Sequence, residues 1–291
     1  MTGQTEFTLI NPQSKALAFK VYTFEDDSSF NSLKNYNYFS LILVTKGKGS
    51  LTADVSTYTF SENSLMCFSL YQPFRIQSEG VFKGTLINFH PDFFCLHKHR
   101  KEVSCNGVLF NNIYDSPVIH LNTAEMHSFS LIANELGSEM QNTALAQYEV
   151  LVSYLKIFLI NASRIKIKQQ EMEAAIAIKE PLILNTLKDA IEKHYRTLHG
   201  AGDYADLLHI SAKALNKVSK THFNKTLSNL IADRIITEAK RELYLTSKSV
   251  KLIAYELGFN DEFYFSRFFK NNVAVSPQIF RETVGFDRAS T

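Results

Sequence analysis

The stretch Ile253-Ala-Tyr-Glu-Leu-Gly-Phe-Asn-Asp-Glu-Phe-Tyr-Phe-Ser-Arg-Phe-Phe-Lys270 decides how the chain is read. Leu252, Ile253, Ala254 and Leu257 place apolar side chains at helical spacing, which predicts a short helix with one inward face. Gly258 permits the left-handed backbone that ends such a helix, and Asn260 or Asp261 can cap the next. In that second helix Phe265, Phe268 and Phe269 are the predicted buried set. Glu262, Tyr264, Ser266, Arg267 and Lys270 are left to face outward.

The same grammar occurs once more upstream, where Tyr204-Ala-Asp-Leu-Leu-His-Ile-Ser-Ala-Lys-Ala-Leu-Asn-Lys217 again gives an apolar helix, a brief turn and a second helix. Ser211 is the predicted cap, with Leu215 and Val218 inward and Lys213, Asn216, Lys217 and Lys220 outward. Between the two units, Ser228 to Leu245 reads as a long helix with Leu230, Ile231, Ile235, Ala239 and Leu243 on one face. That helix would fix the separation of the two units. From Leu182 to about Val284 the apolar spacing is helical throughout.

Two helix-turn-helix units imply double-stranded DNA as partner, because the second helix of such a unit lies in the major groove. There an Arg can make a bidentate contact with guanine, an Asn with adenine, and a Lys can hold phosphate. Arg267 is the leading candidate for reading a base, and Asn216 for reading an adenine. Two units on one face of a duplex would stand about 34 Å apart, one helical turn. Isolated charges on a helix more often mark only a solvated face; their position in this motif favours DNA. The net charge of +2 conceals a bias in the same direction, since the residues from Pro181 onward carry 16 Lys+Arg against 12 Asp+Glu.

Over about Ile183 to Val284 the chain resembles the AraC/XylS transcription regulators. Residues 253–270, followed by Ser276-Pro277 and Phe280-Arg281, are similar to that family's signature almost position by position, and Arg234, Ala239 and Leu243 also match. The resemblance implies that Lys213, Asn216 and Lys217, then Glu262, Phe263, Ser266 and Arg267, take the DNA-facing positions. Ser219 departs from the family's Phe before Lys220, and Asn224 and Ala274 replace its usual glycines. Asn tolerates a positive φ; Ser219 is expected to loosen the first unit's core, which shifts base specificity toward the second.

The front half has a different texture. From Tyr38 to Phe89 short β-branched and aromatic runs alternate with turns, among them Lys46-Gly-Lys-Gly49 and Ser61-Glu-Asn-Ser64. Antiparallel hairpins forming a small barrel or sandwich are predicted. Helical spacing follows over Thr123 to Met140 and Leu145 to Arg164, and then a polar run over 166–180. The predicted fold is α+β and two-domain: a cupin-like β-barrel at 1–115, a helical dimerisation segment at 116–165, a linker at 166–181 and an all-α domain with two helix-turn-helix motifs at 182–291. The cupin-like barrel and the pairing of subunits through 116–165 are what resemblance to the family's sensor half implies. In those relatives the barrel binds a small effector; Tyr22, Phe68, Tyr71, Phe74 and Phe89 are the candidate lining here.

Other functions are disfavoured. Met1 to Ile10 lacks the layout of a secretory signal, and the longest apolar stretch, near 150–160, is broken by Ser153, Tyr154 and Lys156 and is too short to span a bilayer. A cytoplasmic protein without membrane partner is expected, and the odd set Cys67, Cys95 and Cys105 fits a reducing compartment. Cys95, His97, His99 and Cys105 match no metal-site spacing, and the barrel lacks the paired His and Glu of a metal-binding cupin. No cofactor, metal or catalytic residue is assigned, and the chain is not expected to be an enzyme. RNA polymerase is a further candidate partner. The rival readings are a cupin-type metalloenzyme fused to a DNA-binding module and a dimeric regulator without effector.

Overall fold

The computed structural model describes residues 6–12, 15–96, 99, 107–141, 145–176 and 182–284. The chain divides into two compact units, Met1–Asn112 with Ser116–Met172, and Ile113–Asp115 with Glu173–Thr291.

The first unit is built on antiparallel strands: β1 (Glu6–Ile10), β2 (Leu17–Phe24), β3 (Phe39–Lys46), β4 (Gly49–Ala53), β5 (Ser56–Phe60), β6 (Ser64–Phe68), β7 (Phe74–Ser78), β8 (Lys83–Phe89) and β9 (Val118–His120). They form a six-stranded sheet in the order β1-β2-β8-β3-β6-β9 and a three-stranded sheet in the order β5-β4-β7. β1, β2 and β9 extend the sheet beyond the predicted hairpins. Gly47 turns β3 into β4 at φ +119°, and a Cβ there would lie 2.4 Å from the Val81 carbonyl oxygen, so only glycine fits.

Register sorts the larger sheet into two faces. Ile42 pairs with both Leu86 and Met66, and these three join Phe24, Phe30, Phe68, Phe74, Ile76 and Phe82 in the core between the sheets. Leu41, Ile87 and Phe89 alternate to the other face. Two helices follow β9: α1 (Thr123–Gln141) and α2 (Gln147–Ile176). A capping box opens α1, with Asn122 Oδ1 accepting from Glu125 N at 2.9 Å and Glu125 Oε2 from Asn122 N at 2.8 Å. Phe129 and Phe158 pack edge to face across the two helices, with centroids 4.6 Å apart.

Two expected boundaries move. The segment 116–165 begins with a strand of the sheet, not with a helix. α2 continues to Ile176 through the residues read as a linker; Lys, Gln and Glu are strong helix formers, so a polar run does not stop a helix. The rest of that linker, 177–181, lies outside the described residues.

The second unit is helical: α3 (Leu182–His194), α4 (Ala201–Leu208), α5 (Ala212–Phe223), α6 (Leu227–Leu245), α7 (Val250–Glu256), α8 (Glu262–Val273) and α9 (Pro277–Val284). Side-chain caps start five of them. Ser211 Oγ accepts from Ala214 N, Thr226 Oγ1 from Asn229 N, Ser249 Oγ from Leu252 N, Asp261 Oδ1 from Tyr264 N and Ser276 Oγ from Ile279 N. Left-handed residues end the helices at His209, Asn224, Gly258 and Ala274. α6, 19 residues and about 28 Å long at 1.5 Å per residue, buries Leu230, Ile231, Ile235, Ala239 and Leu243.

Candidate nucleic-acid interface

Each helix-turn-helix unit, or head, pairs a short helix with a 12-residue second helix, α4 with α5 and α7 with α8. α5 buries Leu215, Ser219 and Phe223 and exposes Lys213, Lys217 and Lys220. α8 buries Phe265, Phe269 and Val273 and exposes Phe263, Tyr264, Arg267 and Lys270. Glu262 and Ser266 are half-buried on the same helix. α5 therefore bears three lysines and no carboxylate, a strongly cationic face, whereas α8 offers mainly aromatic and hydrogen-bonding groups.

Five cations of the frame are paired with carboxylates. Glu238, only 3% exposed, accepts from Arg196 at 3.0 Å, Arg234 at 3.3 Å and Arg241 at 3.1 Å. Arg234 also meets Glu192 at 2.8 Å and lies 3.8 Å over the Tyr195 ring. Lys225 pairs with Asp233 at 2.6 Å, and Lys248 with Glu242 and Glu256. Burial alone would raise the Glu238 carboxyl, but the Arg234 and Arg241 guanidiniums and hydrogen bonds from Arg234 and Arg196 hold it below the usual carboxylate range. By contrast Lys213, Lys217, Lys220, Arg267 and Lys270 have no ion pair among the described residues.

The segment joining α3 to α4 braces the second head. His199 Nε2 lies 2.8 Å from the Leu257 carbonyl oxygen at the end of α7, and its ring packs on Phe259 with centroids 4.7 Å apart. Gly258, at φ +83°, sits so close that a Cβ would fall 2.0 Å from the Arg196 carbonyl oxygen. The signature glycine is thus needed for both its backbone angle and this contact.

Three expectations change. Asn216 Oδ1 already accepts from Leu227 N at 3.0 Å, so the carboxamide that was to read adenine in bidentate fashion instead satisfies the first amide of α6. Ser219 does not leave a loose core: its buried hydroxyl donates to the Lys225 carbonyl at 2.8 Å. Leu252 is 45% exposed, because α7 turns Ile253, Ala254 and Leu257 inward and one position earlier falls outside that arc. The Arg196 arm of the Glu238 cluster and the His199 brace had no local sequence signal, since their partners lie 42 and 58 residues apart; Arg234 and Arg241, at i,i+4 and i,i+3 spacing from Glu238, were the signal available on α6.

The candidate effector lining is split: Tyr22, Phe68 and Phe74 meet at the core between the sheets, whereas Phe89 and Tyr71 lie elsewhere. Phe68 and Phe74 stack with centroids 4.0 Å apart in the core between the sheets. Half-buried Tyr22 packs against that core, stacks on Phe30, has Lys20 Nζ 4.8 Å above its ring, and has its phenol pushed up to about 12, chiefly by burial. Phe89 faces the opposite side and stacks on Phe39. Tyr71 lies in the turn after β6, where its amide donates to the Tyr36 carbonyl. His97 and Cys105 lie outside the described residues.

Residues 204–283, spanning both heads, match the helix-turn-helix domain family. The chain carries a helix-turn-helix domain over these residues. Similar proteins include the raffinose operon transcriptional regulatory protein RafR of Pediococcus pentosaceus, 26% identical over 167 residues, 57% of this chain and 56% of that protein. The helix-turn-helix-type transcriptional regulator YfiF of Bacillus subtilis (strain 168) is 28% identical over 259 residues, 86% of this chain and 78% of that one. Thus the chain spans little more than half the length of the raffinose regulator. Among solved structures, ToxT from Vibrio cholerae is 16% identical with a TM-score of 0.39, over 92% of this chain and 99% of that one.

Proposed function

We propose that the chain is a transcription regulator of the AraC/XylS type, binding duplex DNA sequence-specifically through α5 and α8. The observation that carries this reading is the set of exposed cations on the second helix of each head, Lys213, Lys217 and Lys220 on α5 and Arg267 and Lys270 on α8, unpaired among the described residues, beside a frame in which Arg196, Arg234, Arg241, Lys225 and Lys248 are paired with carboxylates. Unpaired cations on the second helix of each head are what a phosphate backbone neutralises. The first unit serves as a cupin-like sensor that a small effector controls, α1 and α2 pair two copies, and the protein works in the cytoplasm without catalysing a reaction; RNA polymerase is its further partner. None of the described helices is long and apolar enough to cross a membrane.

The test is binding of the full chain to labelled duplex across a salt series. Affinity falling linearly in log–log form with salt supports the reading; no binding at low ionic strength overturns it. A second reading has support of its own: the stacked, fully buried Phe68 and Phe74 fill the space between the sheets, as a regulator without effector would have it. Thermal shift across a metabolite library separates the two, since a ligand bound only to the folded state raises its stability.

A further inference from the structure

Phe263 is the second residue of α8 and is 75% exposed, more than any other large apolar side chain described in the second unit. Among the described residues its ring stacks on no other aromatic, although Phe259, Tyr264, Phe265, Phe268 and Phe269 are all joined in ring contacts nearby. The fold therefore makes no use of it. Leaving a phenyl ring in water forgoes the stabilisation that burial would provide.

Its position gives the ring a use. The N-terminal residues of a second helix in a helix-turn-helix are those that reach base edges. Of the groups that the four base pairs show in the major groove, all are hydrogen-bond donors or acceptors except one, the C5-methyl of thymine. A phenyl ring can accept neither role of a donor–acceptor pair, so the methyl is the feature it fits. Arg267 follows four residues later on the same helical face, about 6 Å along the axis, a distance of one to two base steps at about 3.4 Å each.

We infer that Phe263 is a specificity-determining residue of the second head: it reads the methyl group of a thymine lying one or two base pairs from the base that Arg267 contacts. The inference rests on the DNA-binding reading above and names the base class that one part of that site recognises. It requires no change in the fold, because the ring is already presented.

The experiment starts from a duplex selected by the full-length chain out of a random pool. Each thymine of that duplex is replaced singly by deoxyuridine, which removes the methyl and leaves the hydrogen-bonding edge unaltered. For the unmodified protein, one replacement near the guanine that depends on Arg267 weakens binding about fourfold, as burial of one methyl group implies. For Phe263→Ala, binding to the parent duplex is weaker by a similar factor and that replacement has no further effect. An equal loss in both proteins overturns the inference, and so does a replacement series that is silent throughout. A silent series combined with unchanged DNA affinity of Phe263→Ala also overturns it and assigns the ring to a protein partner instead. Failure to select any duplex would strike the DNA-binding reading itself, a distinguishable result.

Discussion

The Ser219 hydroxyl, fully buried in α5, donates to the carbonyl of Lys225 at 2.8 Å. It thereby ties the end of the first head to the turn that starts α6, while the Lys225 ammonium reaches forward to Asp233. Removing the hydroxyl leaves a buried carbonyl without this donor, at a cost of about 1–3 kcal/mol. Ser219→Ala is expected to lower the unfolding midpoint accordingly. Ser219→Phe, though nearer to the family's pattern, has to displace packed atoms and should cost at least as much. Denaturant unfolding of the three proteins checks the order.

Asn216 is expected to report on folding and not on base choice. Asn216→Ala removes the acceptor for Leu227 N, so it should destabilise by about 1 kcal/mol and leave the selected sequence unaltered. Asn216→Asp keeps an acceptor and should retain most of the stability. Thermal melts beside a random-pool selection separate stability from recognition; lost preference for one adenine in Asn216→Ala with an unchanged melt would contradict this assignment.

Glu238 predicts a pH dependence whose sign follows from its depressed pKa. The folded state holds this carboxylate ionised, so its contribution is fully present above the unfolded value of about 4.3. It is lost as pH falls through the lower folded value, because the unfolded chain takes up the proton first. Glu238→Gln should cost about 3 kcal/mol near neutrality, in the range for breaking a buried ion pair. The gap to the unsubstituted protein should narrow steadily on acidification. Unfolding midpoints from pH 7 down to pH 3 give the comparison.

Lys213, Lys217 and Lys220 are expected to act through phosphate. Replacing all three by Ala should weaken binding to specific and random duplexes alike. It should also make the slope of log affinity against log salt shallower by about 2–3, since each neutralised phosphate contributes about 0.9. Salt-dependent binding isotherms measure the slope directly.

The second head was readable in detail because its determinants are local: Asp261 as cap, Gly258 at positive φ and Phe265 with Phe269 at helical spacing all lie within a dozen residues. β1 and β2 were not read as strands. β1 is an edge strand with no fully buried residue, and its place depends on pairing such as Glu6 opposite Tyr22, which only the folded sheet supplies. Leu252 is misassigned by its pattern because three consecutive apolar residues, Leu252, Ile253 and Ala254, cannot all share one face of a helix. Around Glu238, Arg234 and Arg241 stand at helical spacing on α6, but the third partner, Arg196, and the His199 contact under the second head join residues distant in sequence and leave no periodic trace.

Most directly, the full-length protein can be made to choose its own site from a random duplex pool at low ionic strength. The account predicts two enriched blocks about 10 base pairs apart, with Arg267→Ala erasing base preference in one of them at a cost of about 1–3 kcal/mol. A pool that stays random, or an Arg267→Ala protein with the same affinity and the same two blocks, would contradict it.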